Sequence, residues 1–194
     1  MSPWLVVGLG NPGEEYAATR HNVGFLVVDD LAGSSTFGRH KRARAVAAEV
    51  RLGGHLDGER AVLAKPMSFM NESGGPVKAL LEYAKIELDR LIVVHDELDI
   101  GFGALRIKLG GGDNGHNGLK SIRKALGTGD FYRVRCGIGR PPGRQDPAEF
   151  VLKPWNSTER AGLPDLVTRA SDAVVSLMTR GLELTQNQYN SDPT

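Results

Sequence analysis

Apolar residues along this chain alternate between short continuous runs and helical repeats. "WLVVGLG", residues 4–10, is an apolar stretch closed by Asn11, Pro12 and Gly13, which reads as a buried strand ending in a tight turn. Val23, Leu26, Val27 and Leu31 follow at i, i+3, i+4 and i+8, the spacing of a helix over residues 22–32. "RAVAAEVRL" and "RAVLAKP" read as paired strands around a turn running from Gly53-Gly54 to Asp57-Gly58. Val77, Leu80, Leu81 and Ala84 mark a second helix that begins between Asn71 and Pro76. "RLIVVHDELD" is a continuous apolar strand ending in polar residues, as a central strand covered on both faces would be. "ALRIKLGGG" and "FYRVRCGIG" are further strands, separated by the helix "NGLKSIRKALG" that Gly127 ends. Leu166, Ala170, Val174 and Leu177 set a last helix within "ERAGLPDLVTRASDAVVSLMTRG". Strands and helices alternate, so the expected class is α/β, a central twisted mixed β-sheet flanked by helices. The polar tail, residues 186–194, is expected to fray, leaving residues 1–185 as the folded unit.

Composition narrows this picture. A chain of 194 residues with 40% hydrophobic content suits one domain with a proper core, and no repeat or linker divides it. The apolar stretch from Trp4 to Val7 is too short for a signal peptide, and no run approaches the ~20 residues of a membrane span. The single cysteine, Cys136, excludes an internal disulfide framework and suits a reducing cytoplasm. Lying inside a strand-like segment, it reads as a small core residue and not as a nucleophile.

Net charge is only +1, but its distribution is uneven. Residues 103–144 hold nine Lys/Arg against Asp113 and Asp130, a local surplus of seven, and a second basic knot stands at "GRHKRAR". Lys120, Arg123 and Lys124 would share one helix face. Such a surplus points to a polyanionic partner.

Gly8, Gly10 and Gly13 spell G-x-G-x-x-G directly after the first strand. A dinucleotide site needs the third glycine to open a helix and an acidic residue to end a second strand. Here Glu14 and Glu15 follow the third glycine, Pro12 removes an amide donor, and Asp29 and Asp30 fall within a helical repeat. The dinucleotide reading therefore fails.

In open α/β sheets ligands bind beyond the carboxyl ends of strands, beside helix starts. The polar residues at such places are Asn11, His21, Asn71, Asp96, His116 and Asn117. Singly, each has an ordinary explanation as a cap or turn residue. Together they would converge on one edge. His21, His95, Asp96 and His116 could in principle ligate a metal, yet no H-x-x-x-H or C-x-x-C pair is present and asparagines are poor transition-metal ligands. Metal-free hydrolysis fits better, with His21 as general base, Asp96 as its orienting carboxylate, and Asn side chains holding a carbonyl and its oxyanion. With no G-x-S-x-G elbow, water is the expected nucleophile.

These residues belong to longer blocks. "VVGLGNPG", "TRHNVGF", "KPMSFMNESG", "HDELDI", "GHNGLKSI" and "FYRVRCGIGRPPG" resemble the bacterial peptidyl-tRNA hydrolase family, over roughly residues 5–152 and more loosely into the last helix. The resemblance implies a phosphorylase/hydrolase-like three-layer fold and cleavage of the ester between a peptide and the 3′ ribose of tRNA. It also implies no cofactor and no metal, and a cytoplasmic monomer that binds peptidyl-tRNA but neither DNA nor membrane. Carried over, His21 would be the base, Asp96 its support, and Asn11 the contact to the peptide beside the ester. Tyr16, Phe69, Asn71 and Asn117 would line the substrate groove, with His116 a supporting partner. Lys108 and Arg135 would contact tRNA phosphate. One position departs from the family pattern: Asn114 stands where a second glycine is usual. Asn enters the left-handed region more readily than other side chains, so the loop is expected to keep its path.

Overall fold

The structure, a computed structural model, describes residues 1–54 and 56–191. Among these residues seven strands form one sheet in the order β2-β3-β4-β1-β5-β7-β6. They are β1 (Trp4–Gly8), β2 (Gly38–His40), β3 (Ala45–Leu52), β4 (Glu59–Pro66), β5 (Leu91–Glu97), β6 (Leu105–Leu109) and β7 (Tyr132–Gly137). β4, β1, β5 and β7 run parallel, while β2, β3 and β6 are antiparallel to their neighbours. The expected mixed sheet is present, and all seven residues of β5 are buried, both the apolar run Leu91–Val94 and the polar His95, Asp96 and Glu97 that end the strand. β3 and β4 form the expected pair, with Leu52 opposite Glu59; residue 55 of their connecting turn lies outside the described residues.

Six α-helices among the described residues complete the domain: α1 (Val23–Ala32), α2 (Gly74–Ala84), α3 (Asn117–Leu126), α4 (Pro147–Val151), α5 (Ser157–Arg180) and α6 (Leu182–Tyr189). Val23, Val27 and Val28 of α1 pack with Leu166, Val174 and Leu177 of α5 on one face of the sheet. Val77, Leu80 and Leu81 of α2 join Leu119 and Ile122 of α3 on the other. The result is three layers. Cys136 is buried in the first core, and burial pushes its thiol pKa up, as suits a packing residue.

One element carries no expectation from the sequence: residues 38–40 of the basic knot form the short edge strand β2. One expectation is corrected. The tail from Gln186 does not fray across its described part: α6 runs to Tyr189, Gln186 Nε2 donates to Ile107 O at 3.0 Å, and Asn190 Oδ1 accepts from Ile107 N at 2.6 Å. These amides stand where a further strand would pair with the β6 edge, so polarity here serves the sheet and not solvent. Residues 192–194, also assigned to that tail, lie outside the described residues.

One close approach positions the chemistry. A Cβ at Gly24 would lie 2.4 Å from Val94 O and 2.6 Å from Leu9 N, and one at Gly8 would lie 2.2 Å from Gly24 O. Only glycines at both positions let the start of α1 sit on β1 and β5, which draws the preceding turn, Arg20–Asn22, to the carboxyl end of the sheet.

Candidate active site

The carboxyl ends of the parallel strands β4, β1, β5 and β7 share one edge, and the polar residues singled out above gather there. Asp96 is buried near the end of β5, and both of its oxygens are engaged. His21 Nδ1 lies 2.7 Å from Oδ2, and His116 Nε2 lies 2.7 Å from Oδ1. Burial alone would favour the acid, but the two histidines outweigh it and hold the Asp96 pKa well below the carboxylate range. An ionised carboxylate only accepts, so both facing ring nitrogens carry protons. The His116 tautomer is set independently: its Nδ1 accepts from Gly118 N at 3.1 Å and Leu119 N at 3.3 Å, capping α3.

His21 therefore donates through Nδ1, and its Nε2 has no hydrogen-bond partner among the described residues. It lines a cleft of about 280 Å³ with His116, Asn117, Asp146, Pro147 and Val151. Burial disfavours its imidazolium, yet the charge and hydrogen bond of Asp96 prevail and raise its pKa above the usual 6.5. His95 behaves oppositely. Fully buried, its Nδ1 donates to the Asp96 carbonyl at 2.7 Å, and burial together with His116 brings its pKa down to about 3. Of the four residues weighed as metal ligands, His21, Asp96 and His116 bring ligand atoms within 4.8 Å of one another, while His95 stands outside that group.

The turn carrying His21 is locked from behind. Arg20, buried, gives hydrogen bonds of 2.7–3.1 Å to both oxygens of Glu159 and one of 3.0 Å to Phe150 O. Glu159 in turn closes a capping box with Asn156 at the start of α5.

Asn11 follows β1, and its backbone N–H and C=O pair reciprocally with the side chain of Asn22, each bond 2.9 Å. Its own Oδ1 accepts from Met70 N at 2.7 Å. The Nδ2 donor is left without a protein partner among the described residues. Asn71 is exposed in the turn Met70–Glu72, Asn117 is exposed in the first turn of α3, and Tyr16 meets Phe69 edge-on with centroids 6.5 Å apart. These placements bring His21, Asp96, His116 and Asn117 together. They set Asn11 beside that group, with Tyr16, Phe69 and Asn71 outside the His21 cleft.

Lys108 and Arg135 lie in a neighbouring cleft of about 430 Å³ that shares Glu97 and Asn114 with the first. Neither cation forms an ion pair among the described residues. Burial lowers the pKa of both, and Arg135 and Arg133 add to the effect on Lys108. Arg133, counted in the basic surplus, serves the fold instead. Buried, it donates to the carbonyls of Gly111, Gly112 and Gly129 and ties down the glycine-rich loop. Asn114 adopts φ 50°, so the loop keeps a left-handed turn without the glycine.

Three features are not visible in the sequence pattern. Asn22 has the position of a helix cap but is spent on the Asn11 backbone. The Arg20–Glu159 pair spans 139 residues, beyond any local pattern. The third is Asp146 to Val151 as a cleft wall; the Asp-Pro step before α4, where Asp146 accepts from Ala148 N, is its one local sign.

A family model described as peptidyl-tRNA hydrolase matches residues 5–194. The chain is 62% identical to a peptidyl-tRNA hydrolase of Frankia casuarinae, covering 97% of this chain and 94% of that protein. It is 58% identical to one from Streptomyces coelicolor, covering 98% and 96%. The crystal structure of peptidyl-tRNA hydrolase from Acinetobacter baumannii superposes with a TM-score of 0.87 at 34% identity, over 97% of this chain and 95% of that one. By sequence and by fold, this chain belongs to the peptidyl-tRNA hydrolase family.

Proposed function

We propose that this protein hydrolyses the ester joining a peptide to the 3′ end of tRNA, with a water molecule activated by His21. The observation that carries the reading is the Asp96 carboxylate held between His21 and His116 at 2.7 Å each, with His21 Nε2 left free at a cleft. In this reading His21 Nε2 takes a proton as the water oxygen attacks the ester carbonyl carbon. The resulting oxyanion takes hydrogen bonds from a side-chain amide, a role this reading gives to Asn117, which lines the same cleft. The carbon–oxygen bond to the ribose then breaks, and the imidazolium returns its proton to the 3′ oxygen. Asp96 acts through its charge, and His116 keeps that charge fixed. Asn11 Nδ2 contacts the peptide beside the ester, and Tyr16, Phe69 and Asn71 border the acyl side. Lys108 and Arg135 meet tRNA phosphates.

The chemistry needs no metal. Both imidazole nitrogens facing Asp96 carry protons and both carboxylate oxygens accept them, so a cation there would have to displace two hydrogen bonds. No described helix is long and apolar enough to cross a membrane. A monomer acting in the cytoplasm on released peptidyl-tRNA, and returning tRNA to translation, completes the proposal.

The test is release of a radiolabelled N-acetyl-aminoacyl group from its tRNA, with EDTA present. Turnover in EDTA, falling on the order of 10²–10⁴-fold in His21→Ala with substrate binding retained, is the expected result. Near wild-type turnover in that variant ends the mechanism, and turnover that requires added metal ends the metal-free part.

A further inference from the structure

The carboxyl edge of the sheet continues past Asn11 to β4, and there it carries a second cleft. About 420 Å³ in volume, it lies between the Asn11–Gly13 loop, α1, Phe37 and the ends of β3 and β4. Phe25, Leu26, Phe37, Val46 and Met67 line it, none fully buried and Met67 42% exposed. Its one cation among the described residues, Lys65, hydrogen-bonds to Asp29 at 2.5 Å and stands over the Phe37 ring at 4.3 Å, so its charge is compensated.

We infer that this cleft is the subsite for the peptide beyond the esterified residue, and that it selects short apolar acyl-peptide segments. The inference rests on the reading given under Proposed function and adds its direction. The unpaired cations Lys108 and Arg135 lie over β6 and β7 and share two wall residues with the His21 cleft, which puts the nucleotide on that side. An ester held at His21 has its acyl group on the other side of the breaking bond. The next place along the edge is Asn11, itself a wall of the second cleft.

The chemistry of the lining agrees. A ribose-phosphate chain would find no uncompensated cation here and would have to desolvate its charge against Phe25, Phe37 and Val46. An acylated peptide carries no charge on its backbone and buries apolar side chains favourably, at about 25 cal/mol per Å². The volume lies within the ~300–1,000 Å³ range of small-ligand sites, room for a short segment of extended peptide.

The experiment uses the full chain and two substrates on the same tRNA with the same esterified residue: an N-acetyl-aminoacyl ester and an N-acetyl-tetrapeptidyl ester with apolar side chains. The wild-type ratio of kcat/KM, long over short, is expected to exceed unity. It should fall about tenfold in Val46→Trp, which fills the cleft, and in Met67→Asp, an exposed position where folding is not at stake. A ratio unmoved within about twofold in both variants overturns the subsite. Wild-type protein that cleaves neither substrate overturns the hydrolase reading instead. The subsite is then decided by photo-cross-linking: an N-acetylated apolar tetrapeptide bearing benzophenone must label Phe37, Val46 or Met67, and labelling elsewhere overturns it.

Discussion

The side-chain amide of Asn114 donates to Glu97 Oε1 at 2.8 Å, and the same nitrogen reaches Asp99 Oδ2 at 2.6 Å. Asn114 thus ties the glycine-rich loop to two carboxylates beside the cationic cleft. Arg140 joins from a third loop, at 2.6 Å from Asp99 Oδ1, and with Asn114 it lowers the Asp99 pKa. Asn114→Gly keeps the left-handed turn but leaves Glu97 Oε1 with only the Asp99 backbone N–H at 3.3 Å, and the Glu97 charge already acts on Lys108 and Arg135. KM for full-length peptidyl-tRNA is expected to rise several-fold. Stability should change by about 1 kcal/mol or less, because the lost hydrogen bonds are partly exposed. Steady-state kinetics beside thermal unfolding checks both, and an unchanged KM removes the role assigned to Asn114.

Lys108 and Arg135 carry the electrostatic half of substrate binding if they meet phosphates. Affinity for tRNA should then fall with salt through counterion release, and the slope should flatten when both are changed to Glu. KM should rise far more for full-length substrate than for a short esterified nucleotide. Equal losses on the two substrates would assign these residues to folding or to the reaction itself.

If His21 is the general base, the His21–Asp96 pair should set the pH profile. Only neutral His21 accepts a proton, so kcat/KM falls as pH drops through its pKa. Because that pKa is raised, half of the rate should be lost above pH ~6.5, the ordinary imidazole value. Asp96→Asn removes the charge that holds the proton on the ring. The acid limb should move to lower pH while the plateau rate drops. A profile that loses height without moving would show that Asp96 does not tune His21.

What was legible in the sequence follows from where each signal resides. β1 and β5 are covered on both faces, so their apolar runs stand out, and Asn11 and Asp96 are visible as polar residues at their ends. α1 was legible from spacing alone, which brought His21 to the same edge. Hidden from view were contacts whose partners are far apart in the chain. Asn22 drew no reading, Arg133 counted only toward a basic surplus, and Gln186 to Asn190 read as a loose tail. Each is a polar side chain satisfying buried or edge backbone groups, and composition cannot tell that use from exposure.

The Arg20–Glu159 pair gives a stability prediction. Both side chains are buried, so Glu159→Ala leaves the guanidinium without its counter-charge and breaks the capping box of α5. Removing one partner of a buried pair costs about 3–5 kcal/mol, which in a chain of this size lowers Tm by on the order of 10 °C. Glu159→Gln retains a side-chain oxygen for Arg20 and should lose less. Thermal and urea unfolding decide it. A loss below about 1 kcal/mol in Glu159→Ala would mean that water replaces the missing carboxylate.

If Asn11 contacts the peptide beside the ester, it should govern selectivity. Met70 N–H is a donor and faces Oδ1 at 2.7 Å, so the outward group is Nδ2, also a donor. A peptidyl ester offers that donor the carbonyl of its N-acyl amide. An aminoacyl ester has no such carbonyl, only an ammonium that meets a like-signed N–H and loses hydration without a counter-charge. A difference of ~3 kcal/mol between the two already means more than a hundredfold discrimination. Asn11→Asp keeps the size and the Met70 hydrogen bond but turns an acceptor with negative charge outward. The peptidyl substrate then loses its contact while the ammonium gains a partner. The ratio of kcat/KM for N-acetyl-aminoacyl-tRNA over free aminoacyl-tRNA is expected to narrow at least tenfold, even as both rates drop. Measured on matched substrates, wild type beside variant, an unchanged or wider ratio would place the discriminating contact elsewhere, with Asn11 holding only the Met70 turn.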